Sequence, residues 1–135
     1  MKNEDKQLLL KDLCARLPYG VKVESVFINP DTKERKPCGI EVFDATSLLM
    51  IRVGLGEFKP YLRPMSSMTE EQEMEYESLC VKETSECTDL YGIIFTKDYY
   101  YDTVESIDYL YKNHIDIRGL IPMGLANNAV GLNIY

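Results

Sequence analysis

His114 is the single imidazole of the chain, so any histidine-based proton transfer would have to run through it. A nucleophilic couple would join it to Cys14 or Cys80, since folding brings distant positions together. His114 also closes a helical stripe at the expected end of a helix, where a capping donor or cation is favourable. Packing and capping is therefore its expected role. The four cysteines, Cys14, Cys38, Cys80 and Cys87, contain no Cys-x-x-Cys pair. With one histidine they lack the spacing of a zinc or redox site. No metal and no cofactor is expected, and the cysteines read as reduced thiols.

Carboxylates recur at i, i+4 in Glu71 and Glu75 and again in Glu73 and Glu77. Paired acids can hydrolyse glycosides when a cleft separates their environments. On an open helix they read as a solvated acidic surface, a candidate for contact with a basic partner. Gly54-Leu55-Gly56 follows an apolar run but has no third glycine and no Gly-Lys-Ser ending, so it reads as a bend. Tyr99, Tyr100 and Tyr101 form the densest aromatic patch. Consecutive residues cannot all face one core, and tyrosine is a favoured interface anchor. Asp98 and Asp102 beside them disfavour a base-stacking role. Arg63 and Arg118 complete the candidate set. Arg118 sits in an apolar tail where an unpaired guanidinium would be costly to bury, so it reads as a clamp with Asp116 as the local partner.

These side chains need elements to hold them. Leu10, Leu13, Cys14 and Leu17 recur with helical spacing, predicting a helix over residues 4–16 that Pro18 and Gly20 stop. From Val21 the period becomes two, with a change of phase near Val26. Strands are expected to Phe27, over 39–44, over 48–53 after an Ala45-Thr46-Ser47 turn, and over 57–62, with the polar stretch 28–39 as a loop. Pro60 restricts the last of these to an edge or bulge. Four hairpin-linked strands point to a small antiparallel SH3-like barrel or strongly twisted sheet at about residues 20–62.

Lys59–Glu71 then closes that half, and overlapping capping boxes at Ser67 and Thr69 open the next, with Thr69 favoured. Tyr76, Leu79 and Cys80 are expected on the buried side of that helix. The stretch 82–89 reads as a loop and Leu90–Thr96 as a strand. Asp102-x-x-Glu105 is expected to cap a last helix with Val104, Ile107, Tyr111 and His114 on its stripe. The fold class is α+β, in one domain over 1–135: helix 4–16, barrel 20–62 and a helical and C-terminal part over 69–135.

The chain carries 45% hydrophobic and 27% charged residues, ordinary for a globular domain that buries roughly two-thirds of its unfolded surface. No apolar run approaches the ~20 residues of a membrane span. The amino terminus lacks the pattern of a signal peptide, so a cytoplasmic location is expected. Net charge is −7, and residues 65–111 hold twelve acidic but only two basic side chains. Such a block repels phosphate, so nucleic acid is an unlikely partner for that surface.

Three segments, LLLKDLCARLPYGVKV, KPYLRPMSSMTEE and YLYKNHIDIRGLIPMGLA, resemble a group of small uncharacterised proteins of gut anaerobic bacteria, their phages and prophages. The resemblance covers about a third of the chain and implies a phage- or prophage-associated accessory protein. It brings no activity and no catalytic residues with it. The expectation is a non-enzymatic protein-binding or adaptor protein whose contact residues lie among Tyr99, Tyr100, Tyr101, Arg63, Arg118, Glu71 and Glu75. The alternatives are a small Cys/His enzyme, and a nucleic-acid binder through Lys22, Lys33, Arg35, Lys36, Arg52 and Lys59.

Overall fold

The computed structural model describes residues 2–135, which group into two compact units. The first takes the chain up to Ser67 together with Tyr111–Tyr135, and the second is Met68–Leu110. Both sheets and helices are present, so the class is α+β.

In the first unit, α1 (Asn3–Arg16) is followed by the short turn Leu17–Tyr19 and by Gly20, whose φ of 65° ends the helix in the left-handed region. Then come β1 (Lys22–Ile28), β2 (Arg35–Val42), α2 (Ala45–Arg52) and β3 (Gly56–Leu62). A two-residue strand near the C-terminus (Asn127–Asn128, called β6 in chain order) completes an open sheet of order β2-β1-β3-β6. β1 is antiparallel to both neighbours, and β6 runs parallel to β3. The register between β1 and β2 shifts at Ser25/Val26, where Cys38 is the extra residue and Gly39 takes φ 82°. Gly56 opens β3 where a Cβ would stand 2.9 Å from the Phe58 ring.

The sheet does not close into a barrel, which corrects the SH3-like expectation. The strand expected over 48–53 is part of α2. Asp44 caps that helix: its carboxylate accepts from the Ser47 amide at 3.0 Å, while the Asp44 amide donates to Ser47 Oγ at 3.2 Å. The turn expected at 45–47 is thus a first helical turn. β2 begins at Arg35, inside the stretch read as loop.

Leu9, Leu13, Val21, Val23, Phe58 and Leu62 form the centre of the core, with Phe43 edge-on to Phe58 at 5.5 Å. The buried stripe of α1 is Leu9, Asp12, Leu13 and Arg16, whereas Leu10 and Cys14 are exposed. The helix is therefore rotated from the expected stripe, because a salt bridge occupies its core side. Arg16 and Asp12 are both 0% exposed, with Nε 2.7 Å and Nη2 3.2 Å from the two carboxylate oxygens.

In the second unit, Thr69 caps α3 (Glu70–Leu79) by exchanging bonds with Gln72 at 3.2 and 3.0 Å. β4 (Val81–Thr88) and β5 (Ile94–Tyr101) form an antiparallel hairpin, and α4 (Val104–Lys112) follows, its last two residues, Tyr111 and Lys112, belonging to the first unit. β4 occupies the stretch read as a loop, and β5 begins four residues later than the expected strand. Thr103, not Asp102, caps α4: its amide donates to Ser106 Oγ at 2.7 Å and its Oγ1 accepts from the Ser106 amide at 3.1 Å. Val104 is exposed, and α4 instead buries Ser106, Leu110 and Tyr111. Tyr76 and Leu79 on α3, and Cys80 just past its end, are half-buried.

Replacing Arg16 with Met should cost about 3–5 kcal/mol, the usual loss when one partner of a buried pair is removed. Chemical denaturation of the variant checks this, and a loss below about 1 kcal/mol would refute a structural role for the pair.

Candidate functional site

The aromatic cluster sits on an arm. β4 and β5 pair from Val81↔Tyr101 to Thr88↔Ile94, and no residue of either strand is buried. Side chains alternate across a hairpin. Tyr99 and Tyr101 therefore share a face with Val81, Cys87 and Phe95, while Tyr100 lies on the other with Lys82 and Ile94. Cross-strand pairs hold the middle, where Thr84 Oγ1 donates to Asp98 at 2.8 Å and Lys82 reaches the same carboxylate at 3.3 Å; within β5, Lys97 lies over the Tyr99 ring. The Thr84 and Lys82 contacts lower the Asp98 pKa. At the base, Thr103 Oγ1 donates to the Leu79 carbonyl at 2.7 Å, and the Tyr76 hydroxyl donates to Asp102. Burial and that carboxylate raise the Tyr76 pKa.

The tip was missed by sequence reasoning, which took Leu90–Thr96 for a strand. Asp89 Oδ1 accepts from the amides of Tyr91 and Ile93 at 2.8 and 2.9 Å, and Gly92 turns the chain at φ 78°. This fixes a tight turn and holds its side chains outward. Leu90 is 100% exposed, Tyr91 89%, Ile93 61% and Ile94 65%. Turn residues are ordinarily polar, so four large apolar side chains at a hairpin tip are the signal the sequence carried. The acidic block coincides with this unit: all twelve acids and both bases of the block lie between Met68 and Leu110. Glu71 and Glu75 stand exposed on α3 in the same unit.

The arginine candidates lie in the first unit and serve its framework. The Arg63 guanidinium donates to the Ser67 carbonyl at 3.2 Å. Its backbone pairs with the tail, accepting from the Asp116 amide and donating to the His114 carbonyl, each at 2.8 Å. Arg118 Nη2 donates to the Tyr111 hydroxyl at 3.0 Å, and its Nε stands 3.4 Å from Asp12, a charge contact without hydrogen-bond geometry. Asp116 is not its partner, because that carboxylate accepts from the Leu120 and Ile121 amides.

The His114 ring is engaged with an aromatic partner rather than a thiol. It stacks on Tyr135 with centroids 3.7 Å apart, and Cys14 is exposed on α1. Burial, then the charges of Arg16, Arg63 and Lys22, push the His114 pKa down to about 4. The basic residues expected to form one face are also engaged or dispersed. Arg35 pairs with Glu57 at 2.5 Å, Lys22 donates to the Ile134 carbonyl, and Lys33 sits in a turn at φ 63°. Among the described residues, no group of three or more His, Cys, Asp or Glu side chains could hold a metal ion. No helix among them is long and apolar enough to cross a membrane.

No family model, curated protein or solved structure matches the chain.

Two outcomes are expected. In an NMR titration the His114 ring should protonate near pH 4 rather than 6.5. A depressed folded pKa means that the unfolded chain binds the extra proton first. His114's contribution is thus complete above about pH 6.5 and lost as pH falls through about 4. Replacing Arg118 with Met should lower the melting temperature, and an unchanged melting temperature would remove the clamp.

Proposed function

We propose that the chain is a non-enzymatic, protein-binding accessory protein of adaptor type, with the β4–β5 hairpin as its principal contact surface. One observation carries this reading: the tip presents Leu90, Tyr91, Ile93 and Ile94 to solvent on a turn fixed by Asp89. A rigid apolar projection has little use in water, and large exposed apolar groups mark interaction sites. The tyrosines extend that surface along both faces, each adding area and one hydroxyl at low entropic cost.

The charge around the arm defines the partner. With a net charge of −10 in the unit, a complementary surface has an apolar pocket for the tip and a basic rim. The same field disfavours nucleic acid as that partner. A bacterial cytoplasmic setting linked to phage or prophage belongs to the same proposal and rests on the three resembling segments.

The test is affinity capture from lysate of the native host, comparing the wild-type chain with the Leu90→Lys/Tyr91→Lys double variant. Both positions are solvent-exposed, so the melting temperature should not change. Recovery of the bound protein should fall by about tenfold or more, as for truncation of interface anchors, and the association rate should drop with added salt. Equal recovery by the two forms would overturn the reading.

A further inference from the structure

Part of one sheet edge carries no partner strand. Among the described residues β6 pairs with β3 only at Tyr61 and Leu62, so Gly56–Pro60 have β1 on one side and no strand on the other. Antiparallel geometry fixes where their polar groups point. The Ile28 amide donates to the Leu55 carbonyl at 2.9 Å, and the Leu62 carbonyl accepts from the Ala129 amide at 2.8 Å. Successive residues direct their groups to opposite sides. Gly56 and Phe58 therefore aim N–H and C=O away from β1, and both line the cleft described next, whereas Pro60 is buried.

Beside this edge lies a cleft of about 680 Å³, within the range of ligand-sized pockets. Its apolar wall comes from Leu9, Leu10 and Leu13 of α1, with Ile51, Phe58 and Leu125. Gly124 also lines it, and there the chain bends at φ 75° before reaching β6. The cleft thus continues the line of β6 alongside the free part of β3, where a further strand would run. Lys6 and Lys59 stand at its rim. Arg35 and Glu57 neutralise one another there, and Glu24 accepts from Asn127 Nδ2 at 2.9 Å. Neither lysine forms an ion pair among the described residues, and although Glu24 keeps its negative charge across from Lys59, the three cations and two carboxylates of the lining leave a net charge of +1.

We propose that this cleft binds an extended, acidic segment of another protein, added as a strand beside Gly56–Lys59. Its alternate apolar side chains would enter the cleft and a carboxylate would meet Lys6 and Lys59. The free groups of β3 are amides and carbonyls at strand spacing, and another backbone satisfies them in register. A lipid chain or a folded apolar surface leaves them unpaired, at the cost of burying bare polar groups. The site lies wholly in the first unit, so it stands independently of the hairpin.

The experiment selects a displayed library of random ten-residue peptides against the full chain, then follows an enriched peptide by amide NMR. Enriched sequences should alternate apolar residues and carry a carboxylate. The Gly56 and Phe58 amides should shift and exchange more slowly with solvent when peptide is bound. Leu10→Lys and Lys59→Glu, both at solvent-accessible positions, should each weaken binding by about tenfold, or about 1.4 kcal/mol. Leu90→Lys/Tyr91→Lys should leave it unchanged, which separates failure here from failure of the hairpin reading. The proposal is overturned if no sequence is enriched, or if the Gly56 and Phe58 amides do not respond to the enriched peptide. It is equally overturned if those amides shift with protein concentration alone, which would put a second copy in the cleft.

Discussion

A guanidinium sealed from water joins the first helix of the first unit to its C-terminal tail. Taking Arg16 and Asp12 out of solvent is expensive, and their attraction compensates only with good geometry and further partners. Here the two-point contact between Arg16 and Asp12 is supplemented by the Ile115 carbonyl, which accepts from Arg16 Nη2 at 2.6 Å. The Tyr111 ring lies 5.0 Å from the guanidinium carbon. Such a contact admits one rotation of α1. Ile115 in turn bridges to Arg63, at the end of β3, in parallel fashion. The ion pair therefore sets the sequence helix, tail, sheet within this unit, and the partly exposed Arg118 reinforces it by its contact with Asp12.

The same pair explains why the core side of α1 was hidden in the sequence. Leu8, Leu9 and Leu10 allow two stripes, and hydropathy alone selects the one through Leu10, Cys14 and Leu17. The folded helix takes the stripe through Asp12 and Arg16, because two charges satisfied by each other can occupy a core that neither could enter alone. α4 repeats the lesson with Ser106, whose hydroxyl completes a cap and so can be buried in place of Val104. The continuous apolar run 48–53 reads equally well as strand or helix. The deciding signal was Asp44 with Ser47 three residues on. β4 was illegible for the opposite reason: Lys82, Glu83 and Glu86 show no apolar alternation when both faces of a hairpin are wet. Features with a local cause were readable, among them the Thr69 cap, the stop at Pro18-Gly20 and the phase change near Val26, where the bulge lies. Of the candidate site, the tyrosines and the acidic block were visible in composition, whereas the cleft required the break in the β3–β6 ladder.

Segregated charge gives the second unit a distinct physical character. A hairpin with no buried side chain has little hydrophobic stabilisation, and an isolated two-stranded ribbon is marginal in water. Its order comes from cross-strand pairs such as Thr84 with Asp98, from the Asp89 turn and from the bonds of Tyr76 and Thr103 at its base. Mutual repulsion among twelve acids opposes that order. Apolar groups exposed at the tip add nothing to folding, so stability does not account for their placement there.

The two edges of the four-stranded sheet are treated differently, and the contrast bears on how the protein meets others. Unpaired strand edges invite addition of another chain unless bulges, prolines or charges blunt them. β2 carries all three: the extra residue Cys38, Pro37, and the exposed Arg35, Lys36 and Glu41. On the β3 side, Pro60 removes one amide, and β6 covers only the last two residues of the strand. Extending β6 backwards by five residues in the same register would have closed this edge within the same chain. The bend at Gly124 instead carries the tail off that line and leaves an apolar cleft with donors and acceptors at strand spacing. A fold that defends one edge thoroughly and leaves the other open beside a cavity treats its two edges unequally, and the strand addition we propose uses the undefended one.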